Sequence, residues 1–229
     1  MRVRIYGTDG PLVAVLHGGP AAVGEAAPIA RGLADAFLVL EPWQRGGAVA
    51  RHVADLHDLL RECGGGEPVA LVGESWGAML ALACAAAHPE TAGPIVLIGC
   101  GTFDPAARAR LREILDARGR LYDFDPLPPE RPDPSLPPFD ARAHQETWAD
   151  MLRLQEAGVY PAAFAAIRSP VLMLHGAYDP HPGGMIRASL APHLPGLEYR
   201  EWERCGHSPW RERQVRDEFF AVLRDWLAR

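Results

Sequence analysis

Apolar runs too short to be ordinary helices recur along this chain, and most lead into stretches whose apolar residues fall at helical spacing. Pro11 to Leu16 ends in His17-Gly18-Gly19-Pro20, Ala36 to Leu40 precedes Glu41-Pro42-Trp43, and Pro68 to Gly73 leads into an Ala-rich stretch reaching about His88. Pro94 to Ile98 and Pro170 to Leu174 continue the series, while Met1 to Tyr6 and Leu197 to Trp202 are expected strands of more mixed composition. Between them, Val53, Leu56, Leu59 and Leu60 share a helical face that ends at Gly64-Gly65-Gly66. A last amphipathic helix is expected from about Pro209 to Leu227, with Val215, Phe219, Val222, Leu223 and Trp226 as its buried stripe. Strands that are apolar along their whole length are covered on both faces, and strands alternating with helices make a mostly parallel sheet. The fold class is therefore α/β. At 229 residues and 48% hydrophobic, one domain can hold it.

The rhythm breaks between 103 and 168. A helix is expected over Pro105 to Arg118 and another over His144 to Ala157, while Pro126 to Pro138 carries too many prolines to be anything but loop or polyproline. A mostly helical insertion between two strands of a parallel sheet has the pattern of a lid. The expected organisation is one domain with core parts at 1–102 and 169–229 and the lid at 103–168.

Gly73-Glu74-Ser75-Trp76-Gly77 sits between an apolar run and an Ala-rich helix. A serine hydroxyl is a weak nucleophile unless it is held clear of its neighbours and beside a base. A tight strand-to-helix turn holds it clear, and such a turn leaves no room for side chains two residues to either side, hence the glycines. The start of the helix also presents unpaired N–H groups, of which that of Trp76 can point at an oxyanion. The second donor is expected from the Gly-rich turn after the early strand, with Gly19 preferred and Gly18 in reserve.

A nucleophilic serine needs a base, and a histidine base needs an acceptor on its other nitrogen. Of nine histidines, His207 lies in a turn between the last strand and the last helix, while His175 and His181 flank Asp179 and compete with it. The chain order expected of such a site, Ser…Asp…His, puts the base after the acid, and His181 stands too close to Asp179 in sequence to be oriented by it easily. Asp179 follows a strand end, where open parallel sheets place their ligands. Ser75, Asp179 and His207 are thus the expected catalytic residues, with Trp148, Phe139 and Tyr160 as candidate walls of a substrate pocket.

Composition limits the partners. All 23 basic residues are arginine, and the net charge of −6 disfavours a phosphate backbone as a target. No run approaches 18 apolar residues, and the residues after Met1 form no signal-type apolar core, so neither a membrane span nor export is expected, and the expected compartment is cytoplasmic. Cys63, Cys84, Cys100 and Cys205 have no zinc-type spacing and suit reduced thiols. Neither metal nor organic cofactor is expected, and oligomeric state is not legible.

Together, Gly73-Glu74-Ser75-Trp76-Gly77, His17-Gly18-Gly19-Pro20, Asp179 and Gly206-His207 resemble the α/β-hydrolase superfamily over nearly the whole chain. The Gly-Gly-Pro after His17, the Trp after the serine and the stretch Glu41 to Gly47 are similar to the proline iminopeptidase group. Ala21 departs from that group's glycine, and the insertion is shorter than its cap. In that group, acidic residues of the cap hold a substrate's free amine; Glu146 and Glu156 are available here but suit solvated helix positions. The resemblance implies a serine hydrolase acting on a small ester, amide or short peptide. The alternatives are a proline iminopeptidase-like aminopeptidase and a non-catalytic ligand-binding protein of the same fold.

Overall fold

The computed structural model describes residues 1–44, 46–131 and 133–229. Seven strands form one sheet: β1 (Arg2–Tyr6), β2 (Leu12–Leu16), β3 (Leu38–Trp43), β4 (Val69–Glu74), β5 (Ala92–Ile98), β6 (Val171–Gly176) and β7 (Leu197–Trp202). Their order across the sheet is β1-β3-β2-β4-β5-β6-β7. Only β1 runs antiparallel, against β3; the other pairs are parallel. Pro42 lies in β3 opposite Val3 of β1, beyond Leu38–Leu40, where β3 pairs with β2. A residue without an N–H is tolerated there because β2 asks nothing of it.

The uninterrupted apolar runs divide by alternation between two cores. In β2, Ala14 and Leu16 face one core and Val13 and Val15 the other; in β5, Ile95 and Leu97 oppose Val96 and Ile98. The first core is covered by α2 (Val49–Cys63), α3 (Trp76–Ala87) and α6 (Gly183–Leu190), the second by α1 (Ala27–Leu33) and α7 (Arg216–Leu227). The Ala-rich α3 is buried on nearly every side, which small side chains permit.

α1 and the last helix differ from the sequence reading. α1 is not foreseen from the sequence, because it spans only seven residues. The last helix begins at Arg216 rather than near Pro209; Pro209–Arg211 form a separate 3-10 turn. Glu212 explains the break. Its buried carboxylate accepts N–H groups from Phe124 at 2.6 Å, Asp125 at 2.7 Å and Gly206 at 2.7 Å, so this backbone serves the site instead of a helix. The four cysteines are free, Cys63 exposed and the others buried.

Between β5 and β6 the chain forms α4 (Pro105–Arg118) and α5 (Ala141–Glu156) and then a 3-10 turn over Ala162–Ala166. Asp104 and Asp140 cap the two helices, accepting from Ala107 N at 2.9 Å and Ala143 N at 2.9 Å. α5 docks on the start of α2: Asp150 accepts from Val49 N at 2.8 Å and Thr147 from Gly47 N at 3.3 Å. Of the proline-rich stretch, Pro132 lies outside the described residues; the rest is irregular and crosses toward β1, where Arg4 donates to Asp133 at 2.8 Å.

Candidate active site

Ser75 joins β4 to α3 with φ +52°, a left-handed conformation that side-chain-bearing residues rarely adopt. The flanking glycines show why it is held there. A Cβ on Gly73 would lie 2.3 Å from the carbonyl oxygen of Gly77, and one on Gly77 would lie 2.2 Å from that of Leu16. The elbow packs backbone against backbone, and the serine is the residue left over the edge. Its N–H donates to Ile98 O at 2.8 Å, fixing it to the end of β5.

His207 arrives beside the same strand end. A Cβ on Gly99 would meet the His207 ring at 2.9 Å, so only glycine leaves the imidazole its place. His207 Nδ1 lies 2.7 Å from Asp179 Oδ2, and the His207 N–H donates to Tyr122 O at 2.8 Å. Asp179 is buried just past β6. Burial alone would raise its pKa, but the imidazoles of His207 and His181 hold it far below the usual carboxylate range. Burial conversely lowers the His207 pKa, yet the Asp179 carboxylate outweighs that and pushes it up to about 9.

His181 corrects the sequence reading. Two residues from Asp179, it nevertheless approaches the same carboxylate: its Nδ1 lies 2.9 Å from Oδ1 and its backbone N–H donates to Oδ1 at 2.9 Å. The tight turn through Pro180 makes this possible. Burial lowers the His181 pKa, and its ring stacks on that of His207 at 4.8 Å between centroids. His175 lies beneath, its Nε2 2.9 Å from His181 O. Chain order had separated these candidates; the fold gathers all three around one carboxylate.

The Gly-rich turn lies against Ser75: a Cβ on Gly18 would fall 3.3 Å from Ser75 Cβ. Gly19 has φ +43°, which glycine adopts without penalty. Gln44, which sequence reasoning did not single out, ties this turn to the elbow. Its Nε2 donates to His17 O at 3.2 Å and its Oε1 accepts from the Trp76 indole at 2.6 Å. Its backbone N–H donates to His17 Nε2 at 3.3 Å, which leaves His17 Nδ1 protonated to donate to Gly18 O at 2.8 Å. Both segments expected to supply oxyanion donors are thereby braced by one buried amide. Of the loop Glu41 to Gly47, Arg45 lies outside the described residues.

The three expected pocket residues part company. Trp148 of α5 packs edge-on against Trp76, 5.7 Å between centroids, next to the elbow. Tyr160 stacks on Phe164 at 5.1 Å, against the first core, and Phe139 is exposed beside His144. A groove of about 1600 Å³ is lined by His207, by α1 and α7, and by described residues of the 120–131 stretch with Asp133 and Leu136. Metal-type side chains come within 4.8 Å of one another at Asp179, His181 and His207 and, on the surface, at His57, His88 and Glu90. Among the described residues no helix is long and apolar enough to cross a membrane.

Comparison with known proteins agrees with this architecture. Residues 13–222 match the model of the alpha/beta hydrolase family. The lipase LipV of Mycobacterium tuberculosis is 34% identical over 115 residues, covering 48% of this chain and 38% of that protein, so the chain matches well under half of that relative's length. A solved hydrolase from Pseudomonas aeruginosa superimposes with TM-score 0.70 at 19% identity, over 99% of this chain and 94% of that one. The monoacylglycerol lipase of Paleococcus ferrophilus gives 0.69 at 17% identity, over 99% and 97%. The family match over most of the chain and the sheet with its serine elbow lead to one statement: this chain belongs to the alpha/beta hydrolase family.

Proposed function

We propose that this protein hydrolyses small carboxylic esters, with amides as slower substrates, through an acyl-enzyme on Ser75. One observation carries the reading: Ser75 stands at a left-handed elbow at the end of β4, at the strand edge where His207 is held 2.7 Å from the buried Asp179. Ser75 Oγ attacks the carbonyl carbon while His207 Nε2 accepts its proton; the N–H groups of Gly19 and Trp76 hold the oxyanion. When the intermediate collapses, His207 returns that proton to the leaving alcohol. Water, deprotonated by the same nitrogen, then releases the acid and restores Ser75. No step requires a metal or cofactor. The 103–168 insertion acts as the lid, with Trp148 as the wall nearest the elbow.

Ser75→Ala tests the nucleophile. Turnover of p-nitrophenyl esters is expected to fall by about 10³-fold or more with an unchanged melting transition. Activity that survives, or fluorophosphonate labelling at another residue, would overturn the assignment. Faster release of a prolyl anilide than of any ester would move the reading to an aminopeptidase. The base is tested by pH. His207 works only when neutral and its pKa is raised to about 9, so kcat/KM should climb as pH rises through that value and fall away below it. A rate flat across that range would exclude His207 as the base.

A further inference from the structure

Resting on the acyl-enzyme reading, we propose that His181 is a positioning residue that regulates the same site: its imidazole holds Asp179 on His207 and keeps the base free of its proton down to a lower pH than the Asp179–His207 pair alone would allow. The wiring of the carboxylate carries this. Oδ2 faces His207 Nδ1 at 2.7 Å, while Oδ1 faces both the backbone N–H and the ring Nδ1 of His181, each at 2.9 Å. Among the described residues no other group hydrogen-bonds to this carboxylate. His175 Nε2 stays 3.5 Å from Oδ2 and bonds to His181 O instead, at 2.9 Å. Asp179 stays ionised despite its burial, and a carboxylate only accepts, so the Nδ1 atoms of His181 and His207 both carry protons.

Two donors on Oδ1 have two effects. They stop the carboxylate from turning, so Oδ2 stays on His207. They also stabilise the negative charge of Asp179, and whatever stabilises that charge weakens its pull on the His207 proton. His181 is well fixed for this work. Pro180 and Pro182 restrict the backbone on either side, and neither has an N–H, so His181 supplies the one backbone donor of the triplet. Its carbonyl is held by His175, and its ring lies on that of His207 with 25° between planes, Tyr122 standing 6.1 Å away. The remaining titratable groups around the pair do not replace it. Burial disfavours the His207 imidazolium, whereas Asp179, Glu74 and Asp123 favour it, and Glu25 faces the same ring. Tyr199 and Cys205 lie toward Asp179 without donating to it; their hydrogens go to Glu201 and to Gly206 O. The ring N–H of His181 is the side-chain contact that offsets these carboxylates.

The test is the pH dependence of kcat/KM for p-nitrophenyl acetate in wild type, His181→Leu and His181→Asn. Leucine fills the space without a donor, and asparagine puts a carboxamide N–H where Nδ1 stands. In His181→Leu the midpoint of the alkaline rise is expected to move up by about one unit, a roughly tenfold loss of rate at pH values below it. In His181→Asn the midpoint should stay near that of the wild type, which a merely space-filling role does not predict. A midpoint unmoved in His181→Leu, or moved equally in both variants, overturns the proposal. Should His181→Leu not fold, nitrogen NMR of the wild type with labelled histidines decides: a proton on His181 Nδ1 is expected, and a proton on Nε2 alone overturns the proposal. The same signals follow the titration of His207 directly, so the two readings fail separately. If no ester is turned over, the acyl-enzyme reading falls. A His207 titration that His181→Leu leaves in place overturns the role of His181, whether or not esters are hydrolysed.

Discussion

Around Ser75 the contacts that fix the geometry are between backbone atoms: the Gly73–Gly77 approach, the Leu16 carbonyl behind Gly77, and the bond from Ser75 N to Ile98 O. Across the site, α5 and Asp133 of the 103–168 insertion are tethered by side chains, while Tyr122, Asp125 and Leu127 exchange backbone hydrogen bonds with His207, Arg213 and Arg211. Asp150 and Thr147 reach the start of α2, and Asp133 reaches Arg4 at a site that is 40% exposed on the aspartate side. Backbone packing admits essentially one arrangement, because atoms of the main chain cannot be exchanged by substitution. Side-chain tethers can be lost one at a time, each at small cost. Chemistry placed on the first kind of structure and substrate choice placed on the second can vary independently.

The comparison is most easily broken at Gly77. Gly77→Ala puts a Cβ within 2.2 Å of backbone, with no flexible side chain to yield, so α3 must move. A loss of about 3 kcal/mol or more is expected, read by urea denaturation. Gly119, where α4 ends in the insertion, is the control: a Cβ there meets nothing within 4 Å, and φ +71° alone makes Gly119→Ala cost about 1 kcal/mol. Equal costs at the two positions would erase the distinction.

Gln44 joins the two segments proposed to hold the oxyanion, and Gln44→Ala sharpens the contrast at an intermediate level. Loosening either donor is expected to lower kcat about tenfold, less than deleting one outright, while KM stays nearly constant. A change in KM alone would mean that Gln44 serves substrate binding rather than the transition state. The smallest effect belongs to the tether of the proline-rich stretch. Asp133→Ala removes a partly exposed ion pair with Arg4 and should leave the thermal unfolding midpoint nearly unchanged. A clear drop would show that the insertion is not held by replaceable contacts after all.

Much of this was legible before any coordinates. Period-two burial in β2, β4, β5 and β6 shows as unbroken apolar runs because both faces are covered. The elbow showed through its glycines, because sterics at those positions are local. α1 escapes notice because seven residues span too few turns to show a period, and the start of α7 is misplaced because Pro209 and a helical stripe do not reveal that Glu212 is engaged elsewhere. His181 was discounted on sequence distance, although a turn through proline folds it back onto Asp179. Glu74 stood inside the motif yet unremarked, since its position in the elbow is free to vary.

By itself, then, the sequence determined the α/β layering, the place of Ser75 and the separate candidacies of Asp179 and His207. These follow from patterns short enough to be read along the chain. Only the tertiary structure decided that three histidines crowd one carboxylate, that Gln44 braces two distant segments, and that Glu74 lines the groove beside His207. Each of these depends on which residues meet across the end of the sheet. That meeting is set by strand order, and strand order leaves no mark on the neighbours of a residue in the chain.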